Sequence, residues 1–498
     1  MVLCMILRLV GHEYKYAIEQ IMLALFPDER PNYSFDDVTG SSDPITESHL
    51  CFGAVYAQAI THMRCDGKAS RGYARIKRDK LTNKLVTDRL LQRLIKQSFY
   101  RAAADFIDAP PVWGSLTGIR PARLAAAALE SGMAESAAIK MLKSEYYVSP
   151  ERAKLCTDAA LTSIAVKQTL KPRDIAMYIG IPFCPTRCAY CSFVSNSVEK
   201  SFSLIEPFVQ TLICEIDAAA AMLKELNLRV ISIYIGGGTP TALPPKSLET
   251  VMLRIKTSFD LSEIREYTVE AGRPDTIDAK KLELIRRLGA GRVCVNPQSM
   301  SSDVLSAIGR RHTPDDVFSA VRLVRQSGMA LNMDVIAGLP GDTPECFRHS
   351  LDTVLDFRPE NVTVHTLSLK KGSRIMLEGT AVPSGAAVSE MLGYSSHRLT
   401  EGGYGPYYLY RQKFTSGGFE NTGWSLPGRE CIYNICMMEE LCTVLAFGGG
   451  GVTKLVSPDG RIKRIFNAKY PREYILQANK MEDKLKETKI FVSGHFSA

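Results

Sequence analysis

From residue 173 onward, short apolar runs alternate with longer stretches in which apolar residues recur every three or four positions. The runs 175–181, 230–235, 267–271, 292–295, 331–337 and 361–367 predict strands, and 207–226, 246–259, 279–288, 314–327 and 344–357 predict helices. Regular alternation of this kind means parallel strands joined by right-handed crossovers. Six strands predict an α/β architecture, a partial (βα)6 TIM-like barrel, with its chemistry in the loops that follow the strand ends.

The flanks read differently. Residues 1–170 lack the repeat. Residues 1–10 are apolar apart from Arg8 and predict a first strand, closed by Glu13 and Lys15. The basic stretch 71–101 opens with Arg75, Lys77, Arg78, Lys80 and Lys84 and continues with Leu90, Leu91, Leu94 and Ile95 at amphipathic helical spacing. A second helix is predicted over 121–129. The reading is an N-terminal α/β extension with a solvated basic face, preferred to a dedicated RNA-binding surface. After residue 370 the repeat stops: 402–405 and 448–451 are turn-rich, Tyr404, Tyr407, Tyr408 and Tyr410 lie between them, and 469–485 predicts a closing helix. The expected division is 1–170, 171–370 for the barrel, and 371–498 for a C-terminal covering domain.

A chain of 498 residues is too long for one ordinary core, which supports more than one domain. At 45% hydrophobic and 23% charged it has the make-up of a globular protein. A net charge of +8 suits an acidic substrate or nucleic acid and decides neither. No apolar run is long enough to span a bilayer, and the start has no cleavage-site pattern, so a cytoplasmic protein without a membrane partner is expected. Thirteen cysteines, an odd number, argue against a disulfide framework there. Most of them, Cys51, Cys214 and Cys294 for example, are expected to be small core residues.

Three are not. The first barrel strand runs into Cys184-Pro-Thr-Arg-Cys188-Ala-Tyr-Cys191. Thiolates are soft ligands for zinc or an iron–sulfur cluster. Zinc would require a fourth ligand, and no Cys or His lies close by in sequence. Three thiolates leave one iron of a cubane open, able to chelate the amino and carboxylate groups of S-adenosylmethionine. Directly after the second strand stands Gly236-Gly-Gly-Thr-Pro-Thr241, where glycines allow a ligand to approach the backbone closely. Glu270 ends the third strand, placed to bind hydroxyls, and Asp334 lies on an apolar strand, where an acid requires a partner or a ligand.

The stretch Tyr178-Ile-Gly-Ile-Pro-Phe-Cys184 through Cys191-Ser-Phe193 resembles the radical S-adenosylmethionine superfamily. The ordered motifs from about residue 173 to 455 resemble, more narrowly, the oxygen-independent coproporphyrinogen III oxidase group. Gly114-Ser-Leu-Thr-Gly-Ile-Arg120-Pro resembles the N-terminal extension of its HemZ-type coproporphyrinogen dehydrogenases. The resemblance implies a [4Fe–4S] cluster on Cys184, Cys188 and Cys191. It implies S-adenosylmethionine contacts from Tyr178, Tyr190, Gly237, Gly238, Thr239, Glu270, Gln298, Arg310, Asp334, Ser368 and Val452. It further implies a 5′-deoxyadenosyl radical that takes hydrogen from the propionates of coproporphyrinogen III, turning two of them into vinyls. The partners implied are that tetrapyrrole and an electron-donor protein, with no nucleic acid. Arg311, Arg411 and Lys413 are candidates to meet the substrate's carboxylates.

Two positions depart from the relatives. The best-known oxidases carry a further cysteine where Phe193 stands, and the haem-chaperone branch carries His-Asn-x-x-Tyr-Trp where this chain has Tyr433-Asn-Ile-Cys-Met-Met438. A porphyrinogen decarboxylase, a haem carrier that retains a cluster, and an RNA-modifying radical enzyme are the readings carried forward.

Overall fold

The computed structural model describes residues 4–27, 29–33, 45–191, 196–370, 372–412 and 415–495. The chain forms two compact units. The first takes the residues up to Pro121, Ala127–Thr157 and Gly417–Phe419. Its strands are β1 (Cys4–Val10), β2 (Arg30–Tyr33), β3 (Ile45–Phe52), β4 (Tyr56–Cys65) and β5 (Lys68–Lys77), in the order β2-β1-β3-β4-β5. β1 runs parallel to β2 and β3, and β3, β4 and β5 form an antiparallel meander. Alternation along the strands sends Met5, Leu7, Leu50, Ala57, Ala59, Met63, Ala74 and Ile76 to one face. There they pack with Ile18, Ile21 and Met22 of helix Lys15–Leu25 and Leu91, Leu94, Ile95 and Phe99 of helix Lys84–Ala103. The basic stretch 71–101 is thus strand and then helix: its first cations lie on and just after β5, and its second half forms the helix its spacing predicted.

The second unit is built on one sheet of eleven strands. Six run parallel in sequence order: β6 (Asp174–Ile181), then, past the short pair β7 (Phe183–Cys184) and β8 (Asn196–Ser197), β9 (Arg229–Gly237), β10 (Glu266–Glu270), β11 (Arg292–Cys294), β12 (Ala330–Ala337) and β13 (Asn361–Thr366). Helices Ile205–Glu225, Pro245–Ser258, Ala279–Arg287, Pro314–Ser327 and Pro344–Asp356 connect them. This is the partial (βα)6 barrel predicted from the alternation, with its strands almost continuously apolar because both faces are covered.

The C-terminal part does not form the separate covering domain expected for 371–498. β14 (Gly405–Arg411) and β15 (Glu420–Ser425) extend the sheet antiparallel beyond β13. β16 (Thr443–Gly448) lies parallel beside β6, followed by β17 (Val452–Val456) and β18 (Ile462–Phe466). Apart from Gly417–Phe419, this part belongs to the barrel's compact unit. The reason is the open barrel itself: its two edge strands expose backbone N–H and C=O groups, and pairing with later strands satisfies them. The boundary between the units falls at Thr157 and Asp158, inside helix Pro150–Thr169, rather than at 170.

Two further expectations change. The closing helix is two helices, Pro471–Leu476 and Lys480–His495. Of the three cysteines taken as core, Cys294 is buried but Cys51 and Cys214 are exposed. Cys51 falls on the outer side of β3, and Cys214 on the outer side of helix Ile205–Glu225, whose buried stripe runs through Phe208, Leu212 and Ile216. Among the described residues no helix is long and apolar enough to cross a membrane.

Candidate functional site

The loop after β6 carries all three motif cysteines, and local bonds fix its course. Ala189 N–H donates to Ile308 C=O at 2.9 Å, and Cys191 N–H to Cys188 C=O at 3.1 Å. Ala189 also packs with Val304, Leu305 and Ile308. The glycine segment after β9 lies against this loop: Gly238 N–H donates to Ile181 C=O at 2.8 Å and Thr239 N–H to Phe183 C=O at 2.7 Å. The Thr239 hydroxyl donates to Cys184 Sγ at 3.5 Å. A Cβ on Gly238 would collide with the Phe183 carbonyl and stand 2.9 Å from Cys184 Sγ, so only glycine permits this approach.

Two guanidinium groups face the buried Cys188. Arg273 donates to its sulfur at 3.4 Å. Arg310 donates to Asn296 C=O at 2.6 Å and to the Tyr190 hydroxyl at 3.0 Å. Burial raises the Cys188 pKa, but Arg310 and Arg273 outweigh it, and the thiol lies below its ordinary value.

The acids stand at neighbouring strand ends. Burial, with the Asp334 charge, pushes the Glu270 carboxyl up to about 8, against the opposing pull of His365 and of hydrogen bonds from Tyr234 and the Gly237 N–H. Asp334 on β12 accepts from Asn332 Nδ2 at 3.0 Å and lies 3.6 Å from His365 Nε2. His365 Nδ1 is 3.3 Å from Asn421 Oδ1. Burial lowers the His365 pKa, and Asp334 and Asn421 outweigh that to raise it. Gln298 holds φ +67° outside any strand, its N–H bonded to Asp334 C=O and its C=O to Ile336 N–H. A non-glycine residue in the left-handed region at this place is strain of the kind found at binding sites.

One cavity of about 1100 Å³, including space open to solvent, unites these groups. Cys184, Cys188, Cys191, Tyr190, Gly237, Gly238, Thr239, Glu270, Gln298, Arg310, Asp334 and Ser368 all line it. Two of the expected residues do not. Tyr178 lies inside the barrel, stacked with Tyr234 and Tyr433, its hydroxyl behind Gly237. Val452 begins β17, two strands beyond β6, where it pairs with Phe466 of β18. Of the three cations expected for a substrate, Arg311 is exposed and meets Glu199 at 3.4 Å. Arg411 sits between Tyr410 and Gln412, and those two line the cavity while it does not; burial pushes its pKa down to about 10. Lys413 and Phe193 lie outside the described residues.

The sequence reading missed Arg273, Asn296, His365, Lys370, Tyr410, Gln412 and Asn421, which also line the cavity. Arg273 and Asn296 follow strand ends and were open to that argument. Tyr410 and Asn421 come from β14 and β15, whose place in the sheet no local pattern reveals.

Among the described residues no three His, Cys, Asp or Glu side chains gather closely enough to hold a single metal ion. The three cysteines instead line one wide cavity, bordered by guanidinium and hydroxyl donors, which suits a polynuclear cluster of soft-ligand iron. A cubane held by three thiolates lacks one protein ligand, which leaves one iron open to a small molecule, as a radical S-adenosylmethionine enzyme requires. The sequence profile of the Radical SAM superfamily matches residues 178–354. Over 369 residues, 73% of this chain and 74% of the other, the chain is 41% identical to the oxygen-independent coproporphyrinogen-III oxidase-like protein HemZ of Bacillus subtilis. It is also 26% identical to the haem chaperone HemW of Escherichia coli, over 61% of this chain and 77% of that one. In fold it resembles the coproporphyrinogen III oxidase HemN of Escherichia coli, with a TM-score of 0.52 at 20% identity, covering 64% of this chain and 72% of that one. The chain belongs to the HemZ-like, oxygen-independent coproporphyrinogen III oxidase-like group of the radical SAM superfamily, whose members use a [4Fe–4S] cluster and S-adenosylmethionine.

Proposed function

We propose that this protein oxidatively decarboxylates propionate side chains of coproporphyrinogen III to vinyls, giving protoporphyrinogen IX. In this reading Cys184, Cys188 and Cys191 hold the cluster. Gly237, Gly238 and Thr239 border the methionine end of the cofactor, Arg310 pairs with its carboxylate, and Glu270 and Asp334 receive ribose hydroxyls. When bound, cluster and cofactor supply a carbon-centred radical able to take a hydrogen atom. Each propionate gives up one hydrogen atom from its β-carbon, then CO2 and one electron, and the electron leaves to an acceptor outside the chain. The protein's share is to hold the propionate at the radical's position and to keep water from it.

The observation that carries the reading is the remainder of the cavity. Besides the residues for cluster and cofactor, it is lined by Lys370, Tyr410 and Gln412. Burial pulls the Lys370 pKa down, and no carboxylate contributes to that shift. An ammonium so placed suits a substrate carboxylate, of which coproporphyrinogen has four. The reading includes a cytoplasmic location and a reducing protein partner.

The likeness to HemW favours a second reading, a haem carrier. One anaerobic experiment separates them: reconstitute and reduce the cluster, add S-adenosylmethionine and coproporphyrinogen III, and follow products by mass spectrometry. Protoporphyrinogen with matching 5′-deoxyadenosine, both lost in Cys188→Ala, is expected. Deoxyadenosine without decarboxylation, together with stoichiometric haem binding, would establish the carrier instead.

A further inference from the structure

The helices of the first unit cover one face of its sheet; the other face carries a different chemistry. On β5 the outward residues are Arg71, Tyr73, Arg75 and Lys77, all exposed and about 6.8 Å apart from one to the next. Beside them on β4 point Tyr56 and Arg64, with Tyr56 opposite Lys77 in the register. Tyr73 is 37% exposed. The Arg75 guanidinium lies over the Tyr56 ring, 4.6 Å from its centre. Among the described residues the acid on this face of β3, β4 and β5 is Glu47, which is engaged by Arg8 at 3.4 Å and His49 at 3.5 Å. The field is positive enough to act on His62, whose pKa burial lowers and Arg71, His49 and Arg64 lower further against the pull of Glu47.

We propose that this face binds single-stranded RNA. Rings interleaved with cations on one face of a sheet supply both parts of such a site: a platform on which bases stack and charges that meet phosphates. An acidic protein surface would satisfy the cations through its carboxylates, whereas every base of a single strand also brings a face to stack on Tyr73. The basic stretch was legible in the sequence as charge alone; the register of β4 with β5 is what sets its cations beside rings. None of these residues lines the barrel's cavity.

The test is fluorescence anisotropy of the full chain with a short end-labelled oligouridylate over a range of salt. Binding is expected to weaken with a log–log slope of about −3, from four cations at about 0.7 each. Replacing Arg71→Gln and Arg75→Gln together lowers that slope by about 1.4. Tyr73→Ala weakens binding about tenfold and leaves the slope unchanged, the mark of lost stacking. All three positions are exposed, so folding is retained, as circular dichroism will show. No binding of the oligouridylate, or binding that these substitutions leave unaltered, overturns the proposal. So does binding of an acidic electron-transfer protein that the arginine substitutions abolish while RNA affinity stays the same.

Discussion

Burial beside Asp334 keeps the Glu270 carboxyl protonated up to about pH 8 in the folded chain without ligand. Unfolding lets that proton go at the ordinary carboxyl value, so between about pH 4.5 and 8 the unfolded state holds fewer protons. Stability from this group is therefore present at low pH and lost as pH rises towards 8. Glu270→Gln keeps the shape and removes the titration. Its melting temperature is expected to match the parent near pH 5 and to exceed it by several degrees at about pH 8.5, a gain of order a few kcal/mol. A constant difference across that range would show that Glu270 does not titrate there. The same substitution removes the ionised acceptor proposed for ribose hydroxyls, so equilibrium binding of S-adenosylmethionine should weaken at least about tenfold at pH 8.5. Gly238→Ala acts through space instead: its Cβ would strike the Phe183 carbonyl and crowd Cys184 Sγ. Iron and sulfide bound after reconstitution should fall well below that of the parent, and full cluster loading would show that the loop can give way. At this scale the cysteines, the glycine cradle and the strand-end acids were legible, because each needs only its own stretch of chain. Val452 and Arg411 stand outside the cavity lining, and Asn421 was missed because its position depends on which strands pair; His365, on a predicted barrel strand, was open to the same argument as Asp334.

The six strands of the barrel and the five helices between them were legible almost to the residue, since alternation and amphipathic spacing are local. The strands β14 to β18 were not. Their partners lie far along the chain, and the demand they meet, two open barrel edges, exists only once the barrel has formed. The C-terminal pair of helices shows how that addition is held. Glu215, on the barrel's first long helix, accepts from Lys484 Nζ at 2.8 Å, Gly448 N–H at 2.8 Å, the Tyr474 hydroxyl at 2.5 Å and Asn467 Nδ2 at 3.1 Å. Lys484 and Glu215 are 6% and 1% exposed at their side chains, so neither charge is exchangeable with water. Lys484→Met leaves a buried carboxylate with neutral donors only and should cost about 3–5 kcal/mol, read as a lower urea midpoint. Adding Glu215→Gln should recover part of that loss. If the single substitution proves neutral, the pair does not hold β16 and the helices in place.

The two sheets share no strand pairing among the described residues, and each unit has its own buried apolar cluster. The barrel's ligands all come from the second unit, whose residues also supply every group lining the cavity. Ser149 offers a natural place to cut, because its hydroxyl accepts from the Arg152 N–H at 3.3 Å and so caps helix Pro150–Thr169. A chain beginning at Ser149 keeps the second unit except Ala122–Ala126, and is expected to reconstitute its cluster and to cleave S-adenosylmethionine at a rate close to that of the full chain. It should lose the RNA affinity argued for the outer face of β4 and β5. The full chain should also unfold in two steps, of which the shortened chain keeps one, because separate cores melt separately unless a large apolar interface couples them. Glu270→Gln then provides the internal control: it should move the step shared by both chains and leave the other where it is. A single transition in the full chain, shifted as a whole by Glu270→Gln, would mean that the N-terminal unit is part of the barrel's folding unit, and that its removal must disturb the cofactor site.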